Sequence, residues 1–162
     1  LVPVVACRPV AVGVFSLVLQ APRLAHSVRP GQFLNLKVGP GPDPLLRRPV
    51  SVCDVEGENV RLLIRVVGRG TEWLGRLRRG VEVDLIGPLG RPAPSFRGRD
   101  LFVIGGGIGA APLLLLARRQ GAVNRTQAFI GARERSQLLL LREFRALGLG
   151  PRVATDDGSA GF

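Results

Sequence analysis

A chain of 162 residues with 46% apolar side chains holds one ordinary domain or two small ones, with ample material for packed cores. Its 22 glycines and 13 prolines follow no period, which speaks against a collagen-like repeat and against a disordered chain. The net charge of +11 is almost wholly arginine, dispersed and without interleaved stacking aromatics, which points to a solvated surface or ligand phosphates and away from nucleic acid.

From the N-terminus the pattern is one of short strands broken by glycine, proline and asparagine. Residues 11–20 read as a buried strand rich in β-branched side chains. Arg29-Pro30-Gly31-Gln32 is a type II turn by its proline and glycine placement. Residues 33–38 then alternate, with Leu34, Leu36 and Val38 on one face. The proline-rich residues 39–44 form a loop. Residues 50–55 and 60–67 make a hairpin around the turn at 56–59. Thr71 reads as the N-cap of a short helix through Leu77, and residues 81–86 as a strand closed by Gly87-Pro88-Leu89-Gly90. Such a run of strands implies a small closed barrel.

Residues 91–99 are the linker, and beyond them the grammar changes. Strands at 101–104, 126–131 and 152–155 alternate with helices at 110–120 and 136–147, with Pro112 in the first turn of the former. Strand–helix–strand–helix–strand predicts a parallel sheet of doubly wound type. The expected division is a barrel over residues 1–95 and an α/β unit over residues 99–162. A three-stranded half sheet leaves an edge uncovered, so the chain is expected to continue past Phe162.

No apolar run approaches the ~20 residues that span a bilayer, and Pro3, Arg8 and Pro9 interrupt the N-terminal stretch too early for a signal peptide. The expectation is a cytoplasmic protein without membrane contact. Cys7 and Cys53 read as small buried hydrophobes, and the lone His26 builds no zinc site. Two cysteines are too few for a four-cysteine iron–sulfur cluster.

Three stretches carry chemistry. In Arg47-Arg48-Pro49-Val50-Ser51, Arg48 brings positive charge, Pro49 rigidity, Ser51 a hydroxyl, and Val50 a backbone that reaches a ring edge. Leu63, Ile64 and Arg65 on the neighbouring strand line the same slot, and Gly70 with Thr71 stands at a helix start that favours a phosphate. Together these fit a flavin and its pyrophosphate. The third stretch, Gly105-Gly106-Gly107-Ile108-Gly109-Ala110, opens a helix directly after a strand and suits a second dinucleotide. An acidic residue ~20 positions on is missing, since that region reads Val123-Asn124-Arg125.

With these stretches, and with Pro30-Gly31-Gln32-Phe33, Gly87–Gly90, Gly131-Ala132-Arg133 and residues 155–159, the chain resembles the ferredoxin–NADP⁺ reductase superfamily nearly end to end. Within it the chain resembles the electron-transfer subunits of NAD-linked (type B) dihydroorotate dehydrogenase. The resemblance implies a Greek-key FAD-binding β-barrel followed by a doubly wound NAD-binding domain, incomplete here. It assigns FAD to Arg48, Pro49, Val50, Ser51, Leu63, Ile64, Arg65, Gly70 and Thr71. It assigns the NAD path to Gly106, Gly107 and Gly109, with Asp157, Gly158 and Ser159 nearby. It also implies a catalytic dihydroorotate dehydrogenase subunit as partner in a heteromeric complex, NAD⁺ as electron acceptor, and a C-terminal [2Fe–2S] centre whose cysteines this sequence lacks. No acid–base residue is expected, because the hydride chemistry belongs to the cofactors. A reductase subunit serving a hydrogenase, a ferredoxin or an oxygenase, and a basic β-barrel binding module without flavin, are the alternatives.

Overall fold

Alternating apolar and polar residues, punctuated by turn formers, drive the first half of the chain into antiparallel pairing. The computed structural model describes residues 1–39, 41 and 46–161. Among these, seven strands form one sheet: β1 (Val2–Ala11), β2 (Val14–Gln20), β3 (Phe33–Leu36), β4 (Arg48–Glu56), β5 (Asn59–Arg65), β6 (Glu82–Val83) and β7 (Leu85–Leu89). Their order is β6-β1-β2-β5-β4-β3-β7. The outermost strands β6 and β7 are separated in the chain by Asp84 alone, so the chain itself draws both edges together into a nearly closed barrel. Arg47 fastens this seam, donating to the Asp84 carboxylate at 2.8 Å and to the Asp84 carbonyl at 3.2 Å. The same guanidinium holds the Asp84 carboxyl below its usual pKa. Helices α1 (Pro22–Ser27) and α2 (Arg69–Gly75) add Leu24, Ala25 and Leu74 to the barrel's core. Leu17, Leu19, Leu34, Leu36, Leu62 and Leu74 fill the interior without exposure.

Past the linker, parallel strands joined through helices take over. Strands β8 (Asp100–Gly106), β9 (Arg125–Ala132) and β10 (Arg152–Thr155) are parallel in the order β10-β9-β8. A single 3-10 turn, Gly107–Ala110, leads from β8 into α3 (Ala111–Gln120), and α4 (Leu141–Ala146) precedes β10. Helix α3 is wedged against the barrel. Its Leu114 shares a core with Cys53 and Leu63 of the barrel and with Ile130 and Phe144. Burial in this seam pushes the Cys53 thiol up to about 12.

The type II turn is present, with Gly31 at φ +86° and the Gln32 amide donating to the Arg29 carbonyl at 3.2 Å. The hairpin of β4 and β5 turns at residues 57–58, with Glu56 opposite Asn59. Several expectations about elements change. The strand expected over 11–20 begins at Val14, because residues 12–13 form a turn that joins it to the unpredicted β1. Pro3 and Pro9 mask β1 in the sequence; β6 covers only Val2 and Pro3, so Pro9 lies where the outer side is open, and Pro3 sits at the start of the strand. Helix α1 also escapes the pattern, although Pro22 opens it, a position where the missing N–H costs nothing. The single strand expected over 81–86 is two, β6 and β7, parted at Asp84, and residues 87–89 continue β7 alongside β3 instead of ending a strand. The helix expected over 136–147 shrinks to α4, because Leu139 and Leu140 leave helical geometry, Leu140 at φ +62°, to enter the second core. The loop expected over 39–44 lies outside the described residues except at Gly39 and Gly41.

Candidate functional site

Arg47 and Arg48 are neighbours at the start of β4, so their side chains leave on opposite faces. Arg47 is consumed by the barrel seam. Arg48 instead reaches across to α2, where a Cβ built on Gly70 would lie 2.9 Å from its Nε and 3.1 Å from its Nη2. Gly70 thus leaves the room that the guanidinium occupies, and the first two sequence stretches meet at this contact. Arg48 donates to the Leu46 carbonyl at 2.6 Å and meets no carboxylate among the described residues.

Thr71 is not the N-cap. Helix α2 starts at Arg69, Gly68 caps it, and Thr71 is its third residue. Its hydroxyl accepts from the amides of Val67 at 2.9 Å and Gly68 at 3.2 Å, and donates to the Gly68 carbonyl at 2.9 Å. The buried hydroxyl is therefore fully engaged in shaping the loop. Ser51, half-buried, has no such engagement among the described residues.

Arg48, Ser51 and Thr71, but not Gly70, line a cleft of about 430 Å³ between barrel and α/β half. One wall is Arg48, Pro49, Val50 and Ser51 of β4 with Leu63, Ile64 and Arg65 of β5. The facing wall is Ile108, Gly109, Ala111 and Pro112. Leu63 and Ile64 belong at the same time to the two cores and are almost wholly buried, whereas Arg65 is exposed.

A second cleft, about 390 Å³, opens at the C-terminal ends of the parallel strands, where ligands of open α/β sheets bind. Gly106, Gly107 and Ile108 follow β8, Arg133 and Gln137 follow β9, and Asp156 follows β10. Arg65 and Ile108 line both clefts, which makes them one continuous groove. Gly107 sits at φ +52°, and a Cβ there would come within 3.0 Å of Arg65 Nη2. Added Cβ atoms at Gly106 and Gly109 would meet nothing within 4 Å, so the backbone lies open to the groove. Arg48, Arg65 and Arg133 make it cationic, with no ion pair to any of them among the described residues.

Asp157, Gly158 and Ser159 line neither cleft. They form a turn one step beyond Asp156, in which Asp157 Oδ1 accepts from the Ser159 hydroxyl at 2.7 Å and the Ser159 amide at 3.0 Å. Those two donors hold the Asp157 carboxyl below its usual range. Ser159 in turn accepts from the Arg135 amide at 2.8 Å, tying this turn to the one that follows β9. Ile108, Arg133, Gln137 and Asp156 escape residue-type reasoning, and their signal is position at strand C-terminal ends. The acidic residue sought ~20 positions after the glycine loop falls at the start of β9, because α3 and the 3-10 turn Gly121–Val123 lengthen the crossover. At the relevant end of β9 stands Glu134, whose carboxylate accepts from Ser136 and Gln137.

No family model matches the chain. It is 39% identical over 98% of its length to the dihydroorotate dehydrogenase B (NAD(+)) electron transfer subunit of Desulforamulus reducens, and 39% identical over 91% to that of Shouchella clausii. It spans 62% and 59% of those relatives. The solved structure of an NADH-dependent reduced ferredoxin-NADP oxidoreductase superposes with a TM-score of 0.88 at 29% identity, covering 100% of this chain and 59% of that one. The chain is therefore homologous, over nearly its own whole length, to electron-transfer subunits of dihydroorotate dehydrogenase B, and it shares the fold of a ferredoxin-NADP oxidoreductase.

Proposed function

We propose that the first cleft holds the flavin and pyrophosphate of FAD, that the second receives NAD(H), and that the chain is the flavin-bearing part of an electron-transfer subunit. The observation that carries this reading is the groove itself: Arg48 seated on Gly70 at one end, and Arg65 with Ile108 common to both clefts. Bound FAD would supply the hydride and electron chemistry, and this chain's residues supply position and charge. Arg48 offsets pyrophosphate charge, Ser51 offers its hydroxyl, and Pro49, Val50, Leu63 and Ile64 form a flat apolar slot. Thr71 fixes the loop at the phosphate end. Gly106, Gly107 and Gly109 admit a nicotinamide close to the backbone, and the turn of Asp157, Gly158 and Ser159 braces the rim at Asp156. On this reading the division into residues 1–95 and 99–162 separates a flavin unit from a nucleotide unit.

The names of the relatives support a catalytic dihydroorotate-oxidising partner as the electron source and NAD⁺ as the acceptor; a cytoplasmic location of the complex is part of the proposal. They do not favour a hydrogenase, ferredoxin or oxygenase partner. The residues present do not fit the [2Fe–2S] cluster that the resemblance implies. The chain has two cysteines, Cys53 is wholly buried, and no metal-holding group of three donors occurs among the described residues. No electron step is routed through such a cluster here.

The test is FAD retention. Arg48→Ala removes charge-assisted hydrogen bonds to a phosphate, each worth about 1.5–3 kcal/mol, and is expected to weaken FAD at least about tenfold. Arg79→Ala, at an exposed arginine that lines neither cleft, is expected to bind FAD as the parent does. Equal retention in both variants, measured by fluorescence titration, contradicts the assignment of the cleft.

A further inference from the structure

Resting on the two-cleft reading above, we propose that two ion pairs, Asp54–Arg118 and Arg61–Glu143, act as a clamp that sets the spacing between the flavin and nicotinamide clefts. Asp54 on β4 and Arg61 on β5 are opposite one another in register, next to a β-bulge between Val52 and Asp54. They are of opposite charge, yet each turns away to a helix of the α/β half. Asp54, with no exposure, takes both arms of Arg118 from α3, at 2.7 Å from Nε and 2.6 Å from Nη2. Arg61 donates to Glu143 of α4 at 2.7 Å and is held on its other side by the Ser16 hydroxyl at 3.2 Å.

The four elements joined in this way are those that build the groove. Strand β4 begins with Arg48 to Ser51 and β5 ends with Arg65. Helix α3 begins with Ala111 and Pro112, and α4 follows the loop that carries Gln137. None of the four charged residues lines the flavin cleft, and none lines the nicotinamide cleft. Apolar packing already joins the two halves through Cys53, Leu63, Leu114 and Phe144. An ion pair adds little to such a core in stability, because burying its charges offsets most of their attraction. What it adds is direction. A bidentate guanidinium–carboxylate contact is satisfied at one separation and one angle, while apolar side chains slide. The four charges are thus positioning residues, acting on electron transfer through the distance between the cleft walls, to which reaction rates are steeply sensitive.

The experiment uses charge reversal at the more accessible pair, where side-chain exposures are 20% and 29%. Arg61→Glu, Glu143→Arg and the double exchange are each loaded with FAD, and flavin bleaching by excess NADH is followed in a single turnover. Each single variant is expected to retain FAD as the parent does while bleaching about tenfold more slowly. The double exchange restores most of the rate. Parental bleaching in either single variant, or a double exchange as slow as the singles, overturns the clamp. Should the reversals fail to fold, Glu143→Gln keeps the shape without the charge, and a parental rate there overturns it equally. A parent protein that holds FAD but is not bleached by NADH contradicts the nicotinamide half of the functional reading, and the clamp falls with it. A parent that holds no FAD contradicts the flavin half.

Discussion

Arg48 and Gly70 show how much one missing Cβ decides. The guanidinium passes over the α2 backbone at a height that no other residue at position 70 allows. Gly70→Ala is therefore expected to displace Arg48 and lower FAD affinity several-fold while leaving the thermal midpoint nearly unchanged, because only the far end of a flexible side chain must move. Differential scanning fluorimetry with and without FAD separates the two effects. A fall in the midpoint of the FAD-free protein with affinity intact would contradict the explanation. The sequence pointed to this region through residue type, but not to the division of labour within it. Nothing in Arg47-Arg48 says which arginine serves the barrel seam and which the cleft; only the strand's facing does. Thr71 was legible as a helix-start residue, while its engagement with Val67 and Gly68 depends on where α2 begins, a boundary that propensity leaves open.

At the scale of elements, the strands with clear alternation and the parallel strands with unbroken apolar runs were legible, because burial on one face or on both writes itself into the sequence. Strand β1 was not, since its two prolines speak against a strand until the partial cover by β6 is known. Helix α4 was overestimated because consecutive leucines look alike whether they continue a helix or leave it to fill a core. Arg118 is the most instructive case. In sequence it belongs to an exposed basic pair with Arg119; in the structure it is the sole cationic partner of the buried Asp54 carboxylate among the described residues. Arg118→Ala strands that charge and is expected to cost about 3 kcal/mol in urea unfolding. The companion Asp54→Asn removes the stranded charge and should cost less. Equal stability of the parent and Arg118→Ala would show that Asp54 is served by other donors.

For the molecule as a whole, the order of strands matters more than any one motif. The seven-stranded barrel and the three-stranded parallel sheet bring three separated stretches to one groove, with Arg65 and Ile108 at the junction. Among the described residues no strand pairs with the outer edge of β8, and on one face of that strand Phe102 and Ile104 stand 56% and 72% exposed. The flavin cleft lies away from that edge, bounded by β4, β5 and the start of α3. FAD binding is thus the part of the account that this span of chain bears most fully. The decisive measurement is the visible absorption spectrum of the protein after incubation with FAD and removal of free flavin. The account predicts a stoichiometric flavin spectrum, shifted from that of free FAD by the apolar slot. A protein that remains colourless would contradict it, and would turn the reading toward a basic β-barrel that binds without a flavin.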